Sequence, residues 1–270
     1  MLNIIKSLAS GSKAAHQTTP FPKMRNVVLD IMDEGRRKNT IHLPFDADAT
    51  AMLIELERIN AGRASRITLT SYIAKALADT VAEDPRMQAY RKGNELVIFR
   101  DVDVSVMIER KVEGTRMPVP YIVRAVNDQG LTALDATLLA ARTMPLYTDN
   151  GPLSKLEATF FALPRVIRKI VWFFIRRDPH LFRQVAGTVG LTSLPSQLPL
   201  RAIGMPITPM TLTLLVGAIS PRLQLRDGQI VEKKIIQMNL SADHDIIDGA
   251  QMMRFIERLK KRLHDGTMSV

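Results

Sequence analysis

The stretch from residue 230 to residue 265 most narrows what this chain can become. Residues 230–240 read as a strand with partly alternating apolar positions, and a polar corner follows, Asp243-His244-Asp245-Ile246-Ile247-Asp248-Gly249. From about Gly249 the apolar residues Met252, Ile256, Leu259 and Leu263 recur at helical spacing, while Arg254, Glu257, Arg258, Lys261 and Arg262 cover the other faces. A stripe of that period has to be buried against an apolar surface, so the helix is predicted to dock on its own domain. The corner would then be held between a rigid strand and a rigid helix.

Within the corner, His244 is the one histidine of five with a carboxylate on each side, a further carboxylate at Asp248 and a glycine, Gly249, that permits a tight turn. An imidazole fixed in one tautomer and aimed at a substrate is what a general base requires. The same residues also read as a plain strand-to-helix corner in which Asp248 only caps the helix.

The α/β pattern recurs upstream. Val102, Val104, Val106 and Ile108 alternate with Asp103, Ser105, Met107 and Glu109, the mark of a strand with one buried face. Residues 211–220 predict another strand, and Asp227-Gly228 a hairpin turn after it. Thr70 is placed to cap a helix through Ala82 that stops before Pro85, and Asp48 one through Ile59 that stops near Gly62. Residues 160–178 predict a single amphipathic helix, with Arg165, Arg168, Lys169, Trp172 and Arg176 on one side and Val166, Ile170, Phe173 and Phe174 on the other. Such a helix either lies in an anionic membrane surface or packs on the domain or at a subunit contact. Residues 1–20 read as a flexible tail, and no 18-residue apolar run occurs anywhere.

Several stretches resemble, in order, the catalytic domain of dihydrolipoamide acyltransferases, the core enzymes of 2-oxoacid dehydrogenase complexes. They are Met24-Arg25 leading a helix, residues 67–77, 102–108 and 118–124, 217–220 with 226–230, and 239–250 followed by Arg254-Phe255. The resemblance covers about residues 21–265 and implies a chloramphenicol acetyltransferase-like two-layer sandwich, a mixed β-sheet with flanking helices. One catalytic domain is expected over 21–270, with an amphipathic insertion near 150–186, where the resemblance thins.

The resemblance also implies a chemistry. His244 would take the proton from an acceptor thiol, or from a hydroxyl or amine of another small acceptor, which attacks an acyl thioester of coenzyme A, and a strand hydroxyl would stabilise the oxyanion. Aligning on Gly187-Thr188 puts Thr192 at that hydroxyl position, where the family has a serine, with Ser193 as the second candidate; both also read as ordinary strand residues. Asp248 is implied to be structural, pairing with an arginine, and Arg25, Arg36 and Arg37 are the candidates. A homotrimer is implied, its active site shared between subunits. Coenzyme A enters as a substrate, no metal is expected, and the coenzyme A contacts are not assigned. The chain has no room for a lipoyl domain, so no lipoyl group is expected on it, and a separate lipoyl-bearing protein is the expected partner.

Three departures stand out. Asp245 replaces a basic residue, and Asp243 stands where other branches carry a second histidine, which favours the dihydrolipoamide branch. Residues 194–210, with Pro195, Pro199, Pro206 and Pro209, replace a glycine-rich loop that borders the acyl and thiol channels, so the acyl group and acceptor stay open. The chain has no cysteine, which removes disulfides and a thiolate nucleophile and points to a reducing cytoplasm, with membrane association left open by residues 160–178. A net charge of +10 suits an anionic partner, either coenzyme A or lipid; no nucleic-acid signature accompanies it. Two other classes stay in view: a condensation-type amide- or ester-forming enzyme, and a non-catalytic trimeric scaffold or membrane-docking protein.

Overall fold

The structure is a computed structural model that describes residues 16–22, 25–112, 115–145, 154–194, 203–226 and 228–265. Eight helices and eight strands follow one another among them: α1 (Arg25–Gly35), β1 (Thr40–Asp48), α2 (Thr50–Asn60), α3 (Leu69–Glu83), β2 (Tyr90–Lys92), β3 (Glu95–Val97), β4 (Val104–Val112) and β5 (Thr115–Val123), then α4 (Leu131–Thr143), α5 (Lys155–Ala162), α6 (Arg165–Ile175), α7 (Pro179–Ala186), β6 (Val189–Ser193), β7 (Leu212–Arg226), β8 (Gln229–Asp243) and α8 (Gly249–Asp265). Six strands form one mixed sheet in the order β1-β8-β7-β6-β4-β5. The β4–β6 and β6–β7 pairs are parallel and the rest antiparallel.

One face of the sheet carries the main core. Val104, Val106 and Ile108 of β4 share it with Val189 and Leu191 of β6, and with Leu212, Leu214, Leu240 and Ala242 of β7 and β8. Helices α2, α3, α4 and α8 pack on it. The predicted stripe of α8 is buried, with Phe255 added to it, and burying each such side chain is worth about 1.5–3 kcal/mol. That anchoring fixes where α8 begins, and so where the corner before it sits.

The second face is defined by register. Ser105, Gly190, Thr213, Ser241 and His42 lie side by side across five strands, and Thr192, Leu215, Asn239 and Pro44 form the next row on that face. A Cβ on Gly190 would stand 2.7 Å from Thr213 Oγ1 and 2.8 Å from Met210 Sδ, so this row closes only with glycine there. Above β4 to β7, residues of α1, α5, α6 and α7 line a half-open cavity.

Several sequence expectations change here. Residues 160–178 are not one helix. Pro164 bars a helical conformation at Leu163, whose backbone is extended (ψ 155°), and the chain restarts as α6. The sides of α6 are also reversed from the membrane reading: Arg168 is 2 % exposed and Trp172 7 %, whereas Val166 is 71 %, Ile170 55 % and Phe174 61 % exposed. The cause is α1, whose Asp30, Asp33 and Glu34 pair with Arg168, Arg165 and Arg176. Periodicity finds two faces but cannot tell which one meets a partner.

The cap of α3 is Thr68, whose hydroxyl accepts from Ser71 N, and not Thr70. Asp48 does accept from Thr50 N (3.0 Å), at the start of α2. Residues 16–22 have no regular structure, while residues 1–15, Met24, Asp227, the prolines 195 and 199, and residues 266–270 lie outside the described residues. Gly228, in the turn between β7 and β8, has φ +77°, as a tight turn requires. Among the described residues no helix is long and apolar enough to cross a membrane.

Candidate active site

The corner is held by hydrogen bonds to its amides and carboxylates. His244 N donates to Asn39 O (2.8 Å), Asp243 N to Thr211 O (2.9 Å), and the amides of Ile246 and Ile247 turn back onto Asp243 O. Buried Asp243 receives Lys38 Nζ at 2.7 Å, and Asp245 receives Asn39 Nδ2 at 2.8 Å. Ile247 is sunk in the main core. Asp245 thus ties the corner to the loop before β1.

The His244 ring lies at the surface of the chain, with Nδ1 3.1 Å from Ile247 O. A carbonyl only accepts, so Nδ1 carries the hydrogen and Nε2 keeps its lone pair. That leaves a base with a fixed tautomer facing outward.

Asp248 caps α8: its Oδ1 accepts from Gln251 N, and its own amide donates to Gln251 Oε1, both at 3.0 Å. None of the described arginines pairs with it. Arg36 lies with Asp33 and Arg37 with Glu34, and no ion pair joins Arg25 to Asp248.

Thr192 sits on the second face of the sheet and lines the cavity. Ser193, one residue on, points to the opposite face by the alternation of a strand, and it does not line the cavity. Gly187 lets β6 start where it does: its φ is +79° and a Cβ would meet Asp103 O at 2.8 Å. Asp103 is the hub below it, buried and held by Arg124, Arg183 and the amide of Ala125. Burial raises its pKa, but those hydrogen bonds outweigh burial and hold it below the usual carboxylate range.

Within one chain, His244 and Thr192 do not meet. Thr192 registers with Leu215 and through it with Asn239, five residues before His244 and two strands away. At about 4.8 Å per strand and 3.3 Å per residue, the separation is roughly 19 Å. No tetrahedral carbon spans that distance.

Sequence reasoning passed over His42. It stands in the second-face row, its Nδ1 2.8 Å from Ser241 Oγ, which also receives Asn239 Nδ2 at 2.9 Å. Burial pushes the His42 pKa down, so the neutral ring is favoured. Its only sequence signal was a histidine in an alternating segment, which names no chemistry. Among the described residues no group of three or more histidine, aspartate or glutamate side chains is arranged to hold a metal.

The family model of the 2-oxoacid dehydrogenases acyltransferase (catalytic domain) matches residues 13–143 and 205–269. His244 and Asp248 fall inside the match; Thr192 and helices α5 to α7 fall between its two parts. The dihydrolipoyllysine-residue acetyltransferase component of the pyruvate dehydrogenase complex of Rickettsia prowazekii is 21 % identical over 260 residues, covering 94 % of this chain and 55 % of that protein. The lipoamide acyltransferase component of the branched-chain alpha-keto acid dehydrogenase complex of Pseudomonas putida is 21 % identical over 250 residues, covering 90 % and 51 %. The chain therefore spans about half the length of these relatives. Among solved structures, the dihydrolipoamide acetyltransferase of Azotobacter vinelandii superposes with a TM-score of 0.68 at 16 % identity, covering 94 % of each chain. That structure addressed a serine, a histidine and an asparagine in the catalytic mechanism, the serine 52 residues before the histidine and the asparagine 4 after it.

Proposed function

The chain belongs to the 2-oxoacid dehydrogenase acyltransferase catalytic-domain family, and on that premise we propose that it moves an acyl group between coenzyme A and a thiol of dihydrolipoyl type carried on a separate protein. His244 of one copy is the base. The observation that carries this is its geometry: Nδ1 is committed to Ile247 O, and Nε2 is free at the surface of a rigid corner. A thiol with a pKa of about 8.5 is mostly protonated at neutral pH, so a positioned imidazole supplies the thiolate.

The reaction balances without a further reagent. The acceptor thiol gives its proton to His244 Nε2, and its sulfur attacks the thioester carbonyl. The tetrahedral intermediate then collapses, breaking the bond to coenzyme A sulfur, which takes the proton back. Thr192 is the hydroxyl that donates to the intermediate's oxygen. Its 52-residue spacing from His244, and the position of Asp248 four residues beyond, repeat the spacing in the Azotobacter vinelandii enzyme, with threonine for serine and aspartate for asparagine. A base and a hydroxyl roughly 19 Å apart in one chain support a homotrimer whose site pairs His244 of one subunit with Thr192 of the next. We place this activity in the cytoplasm.

The test is formation of free coenzyme A and S-acyl-dihydrolipoamide, separated by chromatography, from a panel of acyl-coenzyme A donors with dihydrolipoamide as acceptor. His244→Ala is expected to lose about 10²–10⁴ of the rate, and unchanged turnover would remove His244 from the mechanism. Light scattering on the active protein is expected to give three chains per particle, and an active monomer would sink the shared site.

A second reading concerns the outward side of α6. Its exposed Val166, Ile170 and Phe174 are flanked by the exposed cations Arg165, Lys169 and Arg177, a combination that suits the surface of an anionic bilayer. Co-sedimentation with anionic vesicles that survives Ile170→Glu with Phe174→Glu would sink it.

A further inference from the structure

The cavity beside Thr192 has a volume of about 1020 Å³ and a mostly apolar lining. That is at the upper end of the roughly 300–1,000 Å³ that holds drug-sized ligands. An acetyl group occupies only as much space as a few waters, at about 30 Å³ each, and would leave nearly all of it empty. A half-open, mostly apolar space of this size next to a candidate catalytic hydroxyl has the form of a ligand site.

Its walls come from two sources. The floor is the second face of the sheet, where Met107 of β4 and Thr192 of β6 both line the cavity. The wall opposite includes Phe160, Phe161 and Trp172 of α5 and α6, in the segment between the two parts of the family match. The space is therefore built partly with residues from the segment that the family match leaves out. Two buried polar atoms of lining residues, Ser105 Oγ and Trp172 Nε1, have no hydrogen-bond partner. Unpaired buried groups of this kind mark places where a ligand atom or a water completes the site.

From this we infer that the acyl group is a medium- or long-chain apolar acyl, seated in the cavity with its carbonyl at Thr192. The inference rests on the acyl-transfer reading above and names its substrate class. The opening chemistry and the chain length are set by different parts of the molecule: Thr192 handles the carbonyl, and the α5 to α6 wall handles the tail.

Trp172 is the protein's single tryptophan and lines the cavity, so its emission reports occupancy without any turnover. Wild-type protein is titrated with coenzyme A and with acetyl-, butyryl-, octanoyl- and dodecanoyl-coenzyme A, and kcat/KM for transfer to dihydrolipoamide is measured for each. Each buried methylene is worth about fourfold in binding, so octanoyl is expected to bind at least about 100-fold tighter than acetyl, with a blue shift of Trp172. Val119→Phe, which fills the cavity from β5, is expected to weaken dodecanoyl binding at least about tenfold more than butyryl; if circular dichroism shows that variant unfolded, the wild-type series decides alone. Equal affinity across the series, or a folded variant with an unchanged length profile, overturns the inference. Efficient transfer of acetyl alone overturns it while leaving acyl transfer intact. Length-dependent binding without transfer of any donor keeps the cavity assignment and sinks the proposed reaction instead.

Discussion

Replacing Arg168 by alanine should destabilise the protein more than any surface substitution. Its guanidinium donates from Nε to Asp30 Oδ2 at 2.8 Å, from Nη2 to Asp30 Oδ1 at 3.2 Å and from Nη1 to Leu163 O at 2.5 Å. The side chains of the pair are 3 % and 2 % exposed, so solvent does not screen the interaction as it does on a surface. Arg168→Ala leaves a buried carboxylate and a carbonyl without partners, which costs about 3–5 kcal/mol. For a chain of this length that corresponds to roughly 5–9 °C in Tm. Arg168→Met with Asp30→Leu removes both charges and should restore most of the loss. Urea unfolding of the two variants, with amide hydrogen exchange across α5 and α6, separates global loss from local detachment of the helix. Less than about 1 kcal/mol of change, together with unaltered exchange in α6, would refute the reasoning.

Three further outcomes are expected. Thr192→Val should lower kcat about 10²–10³-fold, while Thr192→Ser, which keeps the hydroxyl, should stay within about tenfold of wild type; equal activity of the valine variant removes Thr192 as the oxyanion donor. Asp248→Ala should cost about 1 kcal/mol in denaturant midpoint through loss of the α8 cap, and Asp248→Asn much less, because asparagine caps as well. For Asp48, burial alone would raise the pKa, but hydrogen bonds from Lys233 and Thr50 outweigh it and bring it to about 2. A lowered carboxylate pKa adds stability that is complete above the ordinary value of about 3.8 and fades as pH falls toward 2, so Asp48→Asn should flatten the acid dependence of stability in that window. An unchanged acid limb would count against that ion pair.

Much of the site was legible because it is local. The strand, corner and helix around His244 are contiguous, and their periodicity and turn chemistry specify them without reference to the rest of the chain. Thr192 was found only through resemblance, since a threonine in a strand carries no signal of its own. The break at Pro164 was written in the sequence and overridden there by the longer apolar run, whereas the cap at Thr68 turns on which of two neighbouring threonines starts the helix, a choice local propensity leaves undecided.

By itself, the sequence determined the α/β class, the docked face of α8, the rigid corner that carries His244 and the alternation of β4. Each follows from periods of 3.6 or 2 over a short span. Only the tertiary structure decided which side of α6 faces inward, because that depends on Asp30, Asp33 and Glu34, more than a hundred residues away in the chain. It likewise decided the distance between His244 and Thr192, and the cavity beside the latter. Both are set by strand order and helix placement, which bring together segments that no local pattern connects.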